Sequence, residues 1–243
     1  MIVTFIKEQQ NGNIYKLLFS GKNMEIQVDI KPTGIESAVV TAPFDEALKT
    51  LTEQRYGVIS LAQNAQLRIQ QGKDAYISRS GNWTREGILY VPGEKPKLVK
   101  NSPILFSAAQ ATEAHRKGKD FYPTKEQIES ALTNSVDFPQ ENIEIPIDRF
   151  GSDALSVFAF DGEDEAIAYG EFLRNAGIKK MPVYAVDKNY VEKENQPFTR
   201  QMWFGDLDGR SGLNDDDRYL DFDGGLRGVK MSAEGTRAEI RGF

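Results

Sequence analysis

From Phe204 to Val229 the chain reads FGDLDGRSGLNDDDRYLDFDGGLRGV, a run that constrains the fold more than any other part of the sequence. Gly, Asp, Asn and Ser dominate it. Each favours turns or irregular backbone, so the run predicts a long loop system in place of a helix. Four leucines, Leu207, Leu213, Leu220 and Leu226, recur every six or seven residues. They are expected to pin the loops to a core while the residues between them face outward. Long structured loops on a rigid scaffold are where binding residues concentrate. Short polar side chains together with Tyr219 and Phe222 supply adaptable hydrogen bonding and aromatic anchors, the mixture that antibody paratopes use.

The acids in this run are all of one kind. Seven Asp and no Glu fall within it, although the chain holds 19 Glu in all. Lys, Gln, Met and Trp are missing as well. With Glu, these types supply 56 of the 243 residues, so a stretch this long would hold roughly six of them. The genetic code offers a reason. Randomising the adenines at the first two positions of an AAC or AAT codon yields Asn, Asp, Gly, Ser, Tyr, Phe, Arg and Leu among its products. It never yields Lys, Glu, Gln, Met or Trp, the set absent here.

The rest of the composition is that of an ordinary globular chain, long enough to bury a core without staples. No Cys is present, which excludes disulfides, Cys-based zinc sites and thiol catalysis. The formal net charge of −6 disfavours a nucleic-acid partner. Seven Asp against Arg210, Arg218 and Arg227 place most of that charge between residues 204 and 229. No apolar run approaches the ~20 residues of a membrane span. The N-terminal Ile2–Ile6 runs straight into Lys7 and Glu8, unlike a signal peptide. A cytoplasmic location is therefore expected, with the surface of a viral particle as the alternative. The glycosylation triplet Asn82-Trp-Thr84 is read as chance.

Along the chain, Ile2–Ile6, Ile14–Phe19 and Met24–Ile30 alternate as strands, separated by Asn11-Gly12 and by residues 21–23. Residues 45–72 turn helical, through Ala47, Leu48 and Leu51 and then Ala62, Ala65, Leu67 and Ile69. Residues 75–105 return to short strands. Thr124 and Gln127 form a capping box for a following helix. The clearest helix spans about 164–176, with Ile167, Gly170 and Leu173 on its apolar face and Gly177 as its stop. Residues 181–186 and 198–204 read as strands. The organisation is one mixed α+β unit over residues 44–243, with residues 1–43 as a β appendage.

Several stretches resemble a known family. They are Tyr169-Gly-Glu-Phe-Leu173, Ala176-Gly-Ile178, Met181-Pro182 and Pro197-Phe-Thr-Arg-Gln-Met-Trp-Phe204. Ser211-Gly-Leu-Asn214, Arg218 and Leu226-Arg-Gly-Val229 continue them. Upstream, Gln71-Gly-Lys-Asp74, Ser80-Gly-Asn-Trp83 and Glu86-Gly-Ile-Leu-Tyr-Val91 also match. The chain is similar over residues 60–229 to the variable proteins of diversity-generating retroelements, in particular their archaeal branch. In that family a reverse transcriptase copies a template repeat with errors at adenines, and the copy replaces the variable repeat of the target gene.

The resemblance implies a C-type lectin fold of the formylglycine-generating-enzyme group, with an irregular, loop-rich C-terminal variable region. It implies a non-enzymatic receptor- or adhesin-like protein whose partner is a protein or another macromolecule. Carried over, the variable ligand-binding positions are Asp206, Asp208, Gly209, Ser211, Asn214, Asp215, Asp216, Tyr219, Asp221, Phe222 and Asp223. Trp203, Arg218 and residues 227–229 are implied as scaffold. The tail from Lys230 to Phe243 departs from the family by running past the expected final strand. The sequence leaves the oligomeric state and the ligand open.

The alternative is a calcium-dependent carbohydrate-binding module of lectin type, because Asp206, Asp208 and Asp215–Asp217 offer hard oxygen ligands. An EF-hand does not fit: its fifth position would be Arg210 and its sixth, which must be Gly, is Ser211. The expectation is therefore no metal and no cofactor. Nor is an enzyme expected. The only His is His115, read as a surface residue, and no Gly-x-Ser-x-Gly elbow exists. The acids Glu163, Asp164 and Glu165 are explained by the helix dipole.

Overall fold

A computed structural model describes residues 2–6, 14–20, 25–29, 35–208, 211–214, 220–221 and 225–230. β1 (Ile2–Ile6), β2 (Ile14–Ser20) and β3 (Glu25–Asp29) form the antiparallel meander that their alternation predicts. The turn signals at Asn11-Gly12 and 21–23 lie outside the described residues. β4 (Ser37–Thr41) pairs with β3 on one side and with β13 (Gly225–Lys230) on the other. β4 thus joins the meander of β1–β3 to β13 in one sheet.

The helical pattern of residues 45–72 resolves into two helices separated by a strand. α1 (Phe44–Glu53) buries Phe44, Ala47 and Leu51 at helical spacing. β5 (Tyr56–Val58) follows and pairs with β13. α2 (Leu61–Gln71) starts at a Ser60 capping box with Gln63 and ends at Gly72, whose φ of 89° suits glycine. Ile69, expected inward, is exposed, and Arg68 takes the inward position instead.

In residues 75–105 the expected series of strands is interrupted. The short α3 (Tyr76–Arg79) precedes β6 (Asn82–Tyr90) and β7 (Lys97–Val99), and a 3-10 turn occupies Pro103–Phe106. Asn82 is buried, and its Oδ1 accepts from Asn64 Nδ2 at 2.9 Å. This position gives a glycan no room.

α4 (Ala108–Arg116) carries His115, which is 6% exposed and so is a core residue, not the surface residue expected. The inward face of α4 is made by Ala111, Thr112 and His115, which helical spacing places side by side. α5 (Lys125–Leu132) has the Thr124–Gln127 capping box read from the sequence. β8 (Ser135–Asp137), β9 (Ile143–Pro146) and α6 (Ala154–Ala159) lead to α7 (Glu163–Asn175). α7 buries Ala166, Tyr169, Gly170 and Leu173 and begins with three acids, as the helix dipole favours. Ile167 is 42% exposed, so the buried face is centred on Tyr169 and not on Ile167.

β10 (Lys180–Tyr184), α8 (Lys188–Lys193), β11 (Phe198–Phe204) and β12 (Leu213–Asn214) complete the elements. Among the described residues one hydrogen-bonded sheet joins all thirteen strands. Its middle runs β4-β13-β6-β11-β12-β10. Alternate residues of β11 serve two cores, as the two-residue period of a strand requires. Met202 and Phe204 join one with α2 and α7, and Trp203 packs against the other, built on α1 and α4. Both cores therefore meet at the end of β11 where the Asp-rich run begins.

Candidate ligand-binding face

The run from residue 204 onward is anchored first by strand pairing. β12 pairs antiparallel with β11, Phe204 opposite Leu213, and parallel with β10, Val183 opposite Leu213. Gly205 N donates to Gly212 O at 2.8 Å and continues that ladder. A Cβ at Gly212 would stand 3.0 Å from Pro182 Cγ and 3.2 Å from its carbonyl oxygen. The close approach of β10 thus favours glycine there.

The leucines do what their spacing predicts. Leu213, Leu220 and Leu226 are buried, and Leu207 packs half-buried against the same core as Phe204. Backbone bonds fix their positions further. Leu207 N donates to Ser78 O at 2.9 Å, and Phe44 N, at the start of α1, donates to Leu220 O at 2.8 Å. Each leucine therefore brings one stretch of loop against a different scaffold element.

Between these anchors lie the residues expected to meet a ligand. Asp208 and Asp221 are exposed, and Asp206 and Asn214 are half-buried. Gly209, Asp215, Asp216, Tyr219, Phe222 and Asp223 lie outside the described residues, as does Arg218 of the expected scaffold. Beside Leu207 and Asp208 opens a cleft of about 430 Å³, rimmed by Lys73, Asp74 and Arg79. Charges of both signs are thus within reach of anything seated on the loop.

Ser211 departs from the expectation. It is fully buried, so its side chain cannot belong to a solvent-facing set. Its Oγ accepts from Arg68 Nη1 at 2.9 Å and lies 2.5 Å from the Tyr169 hydroxyl. Arg68 Nη1 also donates to Tyr169 at 3.2 Å, and the guanidinium sits 4.1 Å from the centroid of the Phe204 ring. The backbone of Ser211 is left-handed, φ 57°, with its N–H donating to Asp206 O at 2.7 Å. The physical reason is the turn itself, which swings the short Ser side chain inward over α7.

Sequence reasoning missed Arg68. Its signal was a charged residue on an apolar stripe: Leu61, Ala65 and Arg68 share a helical face at i, i+4 and i+7. Glu86 was missed too. It is fully buried on β6, where its Oε2 accepts from Leu61 N at 3.0 Å, at the start of α2. Burial pushes its carboxyl up to about 7, and Lys100, Arg85 and the bond from Leu61 only partly offset that. Neither residue faces solvent, and both act on α2.

Among the described residues no group of three or more acids and histidines is gathered as a metal site would require. No described helix is long and apolar enough to cross a membrane.

No protein-family model matches the chain, and no curated protein does. A solved structure does, described as "Accommodation of massive sequence variation in Nanoarchaeota by the C-type lectin fold". It superposes with a TM-score of 0.60 at 13% identity, covering 84% of this chain and 100% of the other. At that identity the likeness concerns architecture alone. With helices packed on a mixed sheet and the C-terminal strands β12 and β13 in its middle, this chain is an α+β protein with the C-type lectin fold.

Proposed function

We propose that the protein is a non-enzymatic ligand-binding protein whose contact face is the outward part of residues 204–229, diversified by a retroelement. The observation that carries the reading is the separation of anchors from display positions. Phe204, Ser211, Leu213, Leu220 and Leu226 are buried, whereas Asp208 and Asp221 are exposed and Asp206 and Asn214 half-exposed. Exposed side chains outside special features change stability little when replaced. Such a face can vary freely while its frame stays fixed.

Two further facts support the reading. The run lacks every residue type that adenine randomisation of AAC or AAT cannot produce. The structural neighbour is described as accommodating massive sequence variation on this fold. The partner is proposed to be a protein or another macromolecule, because Asp208 and Asp221, exposed on either side of the buried Leu213, and a shallow cleft suit an extended surface better than a small molecule.

The decisive test is the gene's surroundings. A near-copy of codons 204–229, differing almost only at adenines and lying beside a reverse transcriptase, is the expected result. Its absence would remove the retroelement from the proposal. Binding is tested separately, with a library randomised at codons 206, 208, 214 and 221. Most members should fold, and selection should yield binders to a purified target protein. A library that mostly fails to fold would sink the display reading.

A further inference from the structure

We infer that Arg68 is a positioning residue for this face: through Ser211 and Tyr169 it holds the base of the loop in one arrangement whatever the exposed positions carry. The inference rests on the reading of residues 206, 208, 214 and 221 as the display positions, and it adds the device that lets them vary.

The first argument is the cost of the residue. Arg68 is fully buried and makes no ion pair among the described residues. Its Nε and Nη2 have no hydrogen-bond partner among the described residues. A buried guanidinium without a carboxylate is expensive, and an apolar side chain of similar volume would fill the space more cheaply. Packing alone therefore does not account for it. What the guanidinium provides is a pair of directed bonds from Nη1, one to Tyr169 on α7 and one to Ser211 on the loop. The face of Phe204, the last residue of β11, offsets part of the buried charge.

The second argument is the backbone that it holds. Ser211 is one of three described non-glycine residues with positive φ, a conformation that costs a residue with a Cβ and persists only when its surroundings impose it. Here the imposing bonds converge on the Ser211 hydroxyl. The same turn brings Ser211 N to Asp206 O and leaves Leu207 N bonded to Ser78 O, so the loop between residues 205 and 212 closes on fixed points.

The third argument is independence. The bonds of Arg68 run to Tyr169 and Ser211 and to no side chain at 206, 208, 214 or 221. The hold on the loop base is therefore unaffected by what those four positions carry. A loop held by its own exposed side chains would lose its shape each time they changed.

Amide hydrogen exchange on the full chain tests this, because local opening is read residue by residue. Arg68→Met keeps the aliphatic bulk and removes the guanidinium; Tyr169→Phe removes one oxygen and keeps the ring. Both should speed exchange at the Leu207 and Ser211 amides by at least about tenfold, with Val229 in β13 changing less than about twofold. Should Arg68→Met fail to fold, the single-atom change at Tyr169 carries the test. A fourfold variant with Ala at 206, 208, 214 and 221 should leave both loop amides as slow as in the wild type. Unchanged loop exchange in Tyr169→Phe, or a rise spread equally over β13, would overturn the inference, as would fast loop exchange in the fourfold variant. No partner enters these measurements, so a failure of the proposed binding face would be seen in the library selection and not here.

Discussion

The Tyr169 hydroxyl and the Ser211 Oγ lie 2.5 Å apart, fully buried, although the two residues are 42 positions apart in the chain. Tyr169 belongs to α7 and Ser211 to the Asp-rich run, so the contact ties that helix to the loop. Arg68 of α2 completes the triangle. Around it the aromatic rings of Phe160, Tyr169 and Phe204 pack at centroid distances of 4.8 to 6.2 Å. The loop is thus seated on an aromatic cluster of the core.

The division between display and anchor positions predicts opposite outcomes for neighbouring substitutions. Asp208→Ala should change unfolding free energy by no more than about 0.5 kcal/mol, as expected of an exposed side chain. Leu213→Ala, five residues on, should cost about 2–5 kcal/mol through lost burial and a residual cavity. Urea unfolding of the two variants checks the contrast, and comparable losses would contradict it.

Gly170 sits where α7 crosses the Ile147–Arg149 turn, and a Cβ there would stand 2.8 Å from the Ile147 carbonyl oxygen. Alanine favours helix over glycine by about 1 kcal/mol. Overpacking against backbone costs about 1–3 kcal/mol. The clash should win, so Gly170→Ala is expected to lower the melting temperature. A rise would show that the helix shifts at little cost.

Glu86 makes stability depend on pH. Burial raises its carboxyl from 4.5 to about 7, so the folded state takes up a proton more readily than the unfolded chain between those values. Its contribution is therefore fully present below about pH 4.5 and is lost as pH rises through 7, by up to about 3 kcal/mol. Glu86→Gln should stabilise the protein at pH 8 relative to pH 4.5 by that order. Denaturant midpoints at the two pH values measure it; a difference between variant and wild type that does not change with pH would show that Glu86 titrates normally.

The calcium reading and the proposed one separate on a chelator. If residues 206–217 bind a partner without a metal, EDTA should leave both the melting temperature and selected binding unchanged. A fall of several degrees restored by calcium would favour the lectin-type site, since a bound ion stabilises the state that holds it.

Much of this protein is set by its sequence alone. Local rules place the capping box at Thr124, the strands at Ile2–Ile6 and Phe198–Phe204 and the four leucines of the loop, because caps, alternation and apolar spacing act over a few residues. The absence of Lys, Glu, Gln, Met and Trp from the Asp-rich run is likewise visible without coordinates. The tertiary structure alone decides which members of a pattern turn inward. Ser211 looks like its Asp and Asn neighbours in sequence, yet a left-handed turn buries it. Ile69 and Ile167 look like core and are exposed, while Arg68 and His115 look like surface and are buried. The reason is that burial depends on what stands opposite a residue. Tyr169, Phe204 and Ser211 reach Arg68 from three separate parts of the chain, and no local pattern records that meeting.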